Sequence, residues 1–111
     1  ANDERVPDVV LGFDLVVGDL SFISLTLVLP ALLPLLNKGG ALLMLVKPQF
    51  ELQPSDIGKG GLVKDVASYV QVEARLREAC AGLNLAVLGY WPSAIAGGDG
   101  NKEFWIGARR T

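Results

Sequence analysis

Asp19, Lys47 and Glu103 stand at the ends of apolar runs, where polar side chains could work together. Asp19 closes Phe13-Asp14-Leu15-Val16-Val17-Gly18, and Lys47 closes Ala41-Leu42-Leu43-Met44-Leu45-Val46. Glu103 opens Phe104-Trp105-Ile106-Gly107-Ala108. An amine flanked by carboxylates can orient a hydroxyl, or take its proton if the amine is neutral. The carboxylates can also face a cationic ligand. Each residue has a plainer role open to it. Asp19 can cap the turn into Ser21, Lys47 can be a solvated lysine at a strand end, and Glu103 can pair with Lys102 or Arg109.

The elements that must carry these residues follow from the apolar pattern. Residues 1–13 are mixed and expected to be irregular. Phe13 to Asp19 reads as a short buried strand. Ser24 is placed to cap a buried helix over Leu25 to Leu36, which Pro30 and Pro34 should delay, kink or break. Asn37-Lys38-Gly39-Gly40 then reads as its stop. Ala41 to Val46 is apolar without alternation, as in a parallel strand covered on both faces. Asp65 can cap a helix from Val66 to Ala81. Tyr69, Val72, Leu76, Ala79, Cys80 and Leu83 share one side of it, and Gly82 ends it. Leu85 to Tyr90 and Glu103 to Ala108 complete the set as strands, separated by the turn-rich residues 92–102.

Helices join the first three strands, which are therefore expected to be parallel with right-handed crossovers. A bare loop joins the last two, so the final strand is expected to be antiparallel. The fold class is α/β, the C-terminal half of a Rossmann-like arrangement with a mostly parallel sheet and an antiparallel last strand. In that topology Asp19 and Lys47 end parallel strands, and Glu103 begins an antiparallel one. All three reach the carboxyl edge of the sheet, where open α/β folds bind ligands.

Composition narrows the function. The chain has 111 residues, half of them hydrophobic, with a mean hydropathy of +0.39, which suits one domain with a core. A net charge of −2 gives no general attraction to nucleic acid. Cys80 is the single cysteine, compatible with a reducing compartment, and there is no histidine for a triad or a zinc site. No metal is expected. No signal peptide is expected either, and the absence of an initial methionine suggests a truncated chain. The apolar stretch Leu25 to Leu36 is too short to span a bilayer, so no membrane partner is expected.

Residues 48–64 form a long polar loop, a candidate to touch substrate. Gly58, Gly60 and Gly61 permit close backbone approach, and Lys59 and Lys64 could meet phosphates. A mobile surface loop is the alternative. The cluster lacks Walker spacing and is not a P-loop. Trp91, Phe104 and Trp105 are read as core rather than as base-stacking residues.

Four segments together resemble a known family. They are Asp19-Leu20-Ser21-Phe22-Ile23-Ser24-Leu25, Leu45-Val46-Lys47-Pro48-Gln49-Phe50-Glu51, Gly58-Lys59-Gly60-Gly61 followed by Val63-Lys64-Asp65, and Gly100-Asn101-Lys102-Glu103-Phe104. In this order they look like the TlyA (hemolysin A) family of FtsJ-type RNA ribose methyltransferases, over most of residues 14–108. The resemblance implies S-adenosyl-L-methionine-dependent 2'-O-methylation of ribosomal RNA in the cytoplasm. FtsJ-type enzymes use a Lys-Asp-Lys-Glu set, in which Asp19 matches the Asp, Lys47 the second Lys and Glu103 the Glu. The first Lys, the glycine-rich cofactor loop and an N-terminal S4-like RNA-binding domain have no counterpart in these residues. The chain is thus expected to be a partial FtsJ-like domain.

In this implied chemistry Lys47 takes the proton of the ribose 2'-hydroxyl or orients its oxygen. Flanking carboxylates favour the second role, holding the ammonium while the hydroxyl is aligned with the methyl-sulfonium. Asp19 could also contact the cofactor. The fragment by itself is expected to be inactive and to self-associate through an exposed sheet edge. Two rivals are a scaffold module that kept the fold without the chemistry and a membrane-active hemolysin. An intact upstream lysine and glycine-rich loop would favour the enzyme, and liposome leakage would favour the hemolysin.

Overall fold

The computed structural model describes residues 12–20, 23–58, 63–94 and 102–111. Its strands are β1 (Phe13–Gly18), β2 (Leu36–Val46), β3 (Leu85–Pro92) and β4 (Phe104–Arg110). Helix α1 (Leu25–Leu32) lies between β1 and β2, and α2 (Ser68–Gly82) between β2 and β3. The spatial order is β1-β2-β4-β3. β1 pairs parallel with β2, while β4 is antiparallel to both β2 and β3. The first three strands therefore share one direction, as expected. The antiparallel last strand is inserted between β2 and β3 and does not extend the sheet.

Both helices pack on one face of this sheet. Leu25, Val28 and Leu29 of α1 and Val72, Leu76 and Cys80 of α2 meet Leu42, Met44, Val46, Ile106 and Ala108 in one core. Among the described residues no helix covers the opposite face, although Leu45 on it is buried. Leu15 and Val17 on it are 59% and 58% exposed, so β1 is not the buried strand its composition suggests. Ala41 and Leu43, their partners in β2, are only partly buried. Among the described residues the helices thus cover one face of β2 and not two. A run apolar on both sides marks what a strand can bury, and tertiary contacts decide whether each side is covered.

Helix α1 starts as its cap predicts. Ser24 is extended at φ −74° and ψ 140°, and its Oγ accepts from the Thr26 N–H at 3.1 Å. The helix stops earlier than the apolar run, at Leu32, two residues after Pro30. Pro30 brings no N–H to an intrahelical bond, and residues Leu33–Leu35 tighten into a 3₁₀ turn. Asn37 to Gly40 are not the stop. Leu36 already pairs with Phe13, and Leu15 pairs with Ala41, so these residues bulge out within β2. Gly39 takes the left-handed φ of 82° that the bulge needs.

Asp65 caps the turn that leads into α2, its Oδ1 accepting from the Ala67 N–H at 2.9 Å. The regular helix begins at Ser68 because the first turns close tightly, Ser68 N–H to the Asp65 carbonyl and Tyr69 N–H to the Val66 carbonyl. Val72, Leu76 and Cys80 form its fully buried stripe at steps of four. The helix includes Gly82, and the left-handed residue after it is Asn84 at φ 58°.

Candidate functional site

The strand directions bring the three polar residues to one rim. β1 ends at Gly18, level with Met44, and Asp19 follows it. β2 ends at Val46, which pairs with Phe104, the first residue of β4. Lys47 and Glu103 lie just beyond that pair, so continuing the register puts them at the same level on neighbouring strands. The Lys47 Nζ is 2.6 Å from Asp19 Oδ1. The Lys47 side chain is 14% exposed and that of Asp19 60%. The lysine is therefore largely withdrawn from water, whereas the carboxylate keeps an open side. Such an arrangement can fix an ammonium in place and still offer negative charge to a second cation.

Glu103 is partly buried, and its carbonyl accepts from the Ser93 N–H at 2.8 Å, tying the rim of β4 to the end of β3. It also lines a pocket of about 290 Å³ with Tyr69, Pro92, Ser93 and Phe104. Arg109, one partner considered for Glu103, instead donates to the Gly39 carbonyl at 2.7 Å. Lys64 is exposed, and its N–H donates to the Asp56 carbonyl at 3.0 Å. Lys59, Gly60 and Gly61 lie outside the described residues, as does 95–101 of the loop before β4. Phe104 stacks on Tyr90 at a centroid distance of 5.4 Å, in keeping with a packing role. Trp91 is 44% exposed and is not core. Its ring lies against Gly89 and Gly107, where a Cβ would meet it at 2.4 and 3.2 Å.

Sequence reasoning missed Glu51. This carboxylate is 7% exposed, yet it binds two donors. It accepts from Ser24 Oγ at 2.5 Å and from the Leu25 N–H at 2.7 Å. α1 has no acid in its own first turn, so Glu51 supplies the negative charge that a helix N-terminus favours. The only available signal was its place in the Leu45–Glu51 segment, which gives no hint of a partner 26 residues away.

The remaining buried titratable groups offer no nucleophile. Burial pushes the Cys80 thiol up, against a smaller opposing pull from Arg77. Burial also pushes the Tyr90 phenol well above its ordinary range, with Glu73 and Glu51 adding to it. Both stay neutral near pH 7. Among the described residues no three Cys, Asp or Glu side chains cluster to hold a metal, and no helix is long and apolar enough to cross a membrane.

Comparisons with known proteins match most of the chain. The FtsJ-like methyltransferase family matches residues 1–110. The chain is 44% identical over 88 residues to "Putative rRNA methyltransferase YqxC" of Bacillus subtilis, across 79% of this chain and 31% of that protein. It is 40% identical over 100 residues to the 16S/23S rRNA (cytidine-2'-O)-methyltransferase TlyA of Mycobacterium tuberculosis, across 86% of this chain and 36% of that one. The chain thus spans about a third of the length of the curated relatives it matches. Among solved structures, a protein titled "putative hemolysin" from Lactococcus lactis superposes with a TM-score of 0.84 at 34% identity. That match covers 88% of this chain and 47% of the other.

Proposed function

The chain belongs to the FtsJ-like methyltransferase family, and from that premise we propose that the protein it forms part of methylates the ribose 2'-hydroxyl of ribosomal RNA, with S-adenosyl-L-methionine as methyl donor. The single observation that carries the reading is the Asp19–Lys47 ion pair at the carboxyl edge of the sheet, with Glu103 at the level of Lys47. Two relatives named as rRNA methyltransferases support the substrate class. With ribosomal RNA as substrate, the working compartment is the cytoplasm.

The donor's sulfonium makes its methyl group electrophilic. The residues present fit such a cation in part, since Asp19 remains 60% exposed beside Lys47. In the proposed step Asp19 fixes the Lys47 ammonium, and the ammonium orients the ribose oxygen. Glu103 bounds the other side of the hydroxyl. With the donor bound, its carbon–sulfur bond would break to leave a neutral thioether as the carbon–oxygen bond forms, and the hydroxyl proton would pass to water. Lys59 and Lys64 are proposed to meet RNA phosphates. The test is transfer of labelled methyl from S-adenosyl-L-methionine to ribosomal RNA by the complete protein, with the product mapped by resistance of its 3' phosphodiester to alkali. Label recovered only on bases would overturn the reading.

We further propose that the 111 residues constitute a partial domain, inactive by themselves, which self-associates through β1. Among the described residues this strand lies at one end of the sheet order, and it exposes Phe13, Leu15 and Val17. Light scattering of the isolated chain is expected to show dimers or larger species whose share grows with concentration. A strictly monomeric profile across that range would count against the idea.

A further inference from the structure

Glu51 has no part in the proposed chemistry, yet it is a buried carboxylate beside the rim. A buried charge is costly unless it is hydrogen-bonded, so its partners indicate what it holds. Its side chain grips Ser24 Oγ and the Leu25 N–H at the start of α1. Residues 19–25 are the segment that runs from Asp19 into that helix. Its own main chain belongs to the segment that leaves Lys47. The Phe50 N–H donates to the Lys47 carbonyl at 2.9 Å, and the Glu51 N–H donates to the Pro48 carbonyl at 2.9 Å. From the other side, the Arg75 guanidinium of α2 donates to the Glu51 carbonyl at 2.5 Å.

These bonds close a ring. Asp19 and Lys47 end adjacent parallel strands, and an ion pair joins their tips at 2.6 Å. A second tie, through Glu51, joins the segments that follow them. We propose that Glu51 is a positioning residue, a clamp between the chain after β1 and the chain after β2 that sets the Asp19–Lys47 geometry. The ion pair alone cannot do this, because Asp19 is mostly exposed and water competes for it. The consequence for turnover rests on the methyltransferase reading. The consequence for the lysine does not.

The experiment compares Glu51→Gln and Ser24→Ala in the complete protein, with Glu78→Gln on the exposed side of α2 as control. Lysine amines carry ¹³C-methyl labels, and Lys47→Arg assigns the Lys47 signal. In both variants that signal is expected to move toward the signals of exposed lysines, with the control unchanged. The kcat per cofactor-binding site should fall about ten- to a hundred-fold, while KM for RNA and cofactor stays within about two-fold. A role confined to folding predicts otherwise. The folded fraction would drop, but the folded molecules would keep the wild-type lysine signal and kcat, and that overturns the clamp. Ser24→Ala removes only one of the two bonds, and it decides the matter if Glu51→Gln does not fold. A displaced lysine signal in a protein whose wild type transfers no methyl group would keep the clamp and sink the methyltransferase reading.

Discussion

Replacing Lys47 by alanine in the complete protein is expected to lower methyl transfer to ribosomal RNA by roughly 10²–10⁴-fold, while cofactor binding stays close to wild type. The size follows from what the ammonium does. It is held in an ion pair with Asp19 at the rim, and its side chain is 14% exposed, so water cannot readily take its place. The loss should fall on kcat, because an oriented hydroxyl matters most once the new bond is forming. The fold should tolerate the change. Asp19, the partner left behind, is 60% exposed and remains solvated, which avoids the penalty of a buried orphan charge. Equilibrium binding of the cofactor, measured beside initial rates, separates the two effects. Wild-type-like turnover by Lys47→Ala would remove the lysine from the mechanism.

Leu29→Ala is expected to destabilise the protein by about 2–5 kcal/mol. Leu29 is fully buried, at 0% exposure, and α1 brings it into the core with Val28, Leu42 and Met44. Removing its branched end leaves a cavity that a helix of eight residues, tied at its start by Ser24 and Glu51, cannot easily close. Total stabilities are commonly about 5–15 kcal/mol, so the loss is a large share. A lower denaturant midpoint with an unchanged slope in the domain's unfolding transition is the expected reading. A loss under about 1 kcal/mol would show that α1 is not packed as described. The rim should respond as well, since α1 leads back to Asp19 through residues 19–24.

The family was legible in the sequence because its short segments carry both pattern and chemistry. The name-bearing segments around Asp19, Lys47 and Glu103 lie where strands end, and apolar runs give strand ends away. Lys59, Gly60 and Gly61 carry the same kind of signal, but their place lies outside the described residues. Local turn chemistry was less faithful. Asn37 to Gly40 has the composition of a helix stop, yet pairing of Leu36 with Phe13 draws it into β2 as a bulge. Backbone pairing on either side of the segment outweighs the preference of four residues within it.

The sequence by itself determined the kinds of element, the direction of each strand and hence the edge at which Asp19, Lys47 and Glu103 gather. Periodicity and connection type are local properties, and a strand's direction follows from what connects it to the next. Only the tertiary structure decided that β4 lies between β2 and β3, that among the described residues both helices pack on one face of the sheet, and that Glu51 caps α1. Each of these is a choice of partner between residues far apart in the chain. No period or spacing encodes such a choice. It is settled when burial of apolar area and pairing of every buried polar group are satisfied together across the whole molecule.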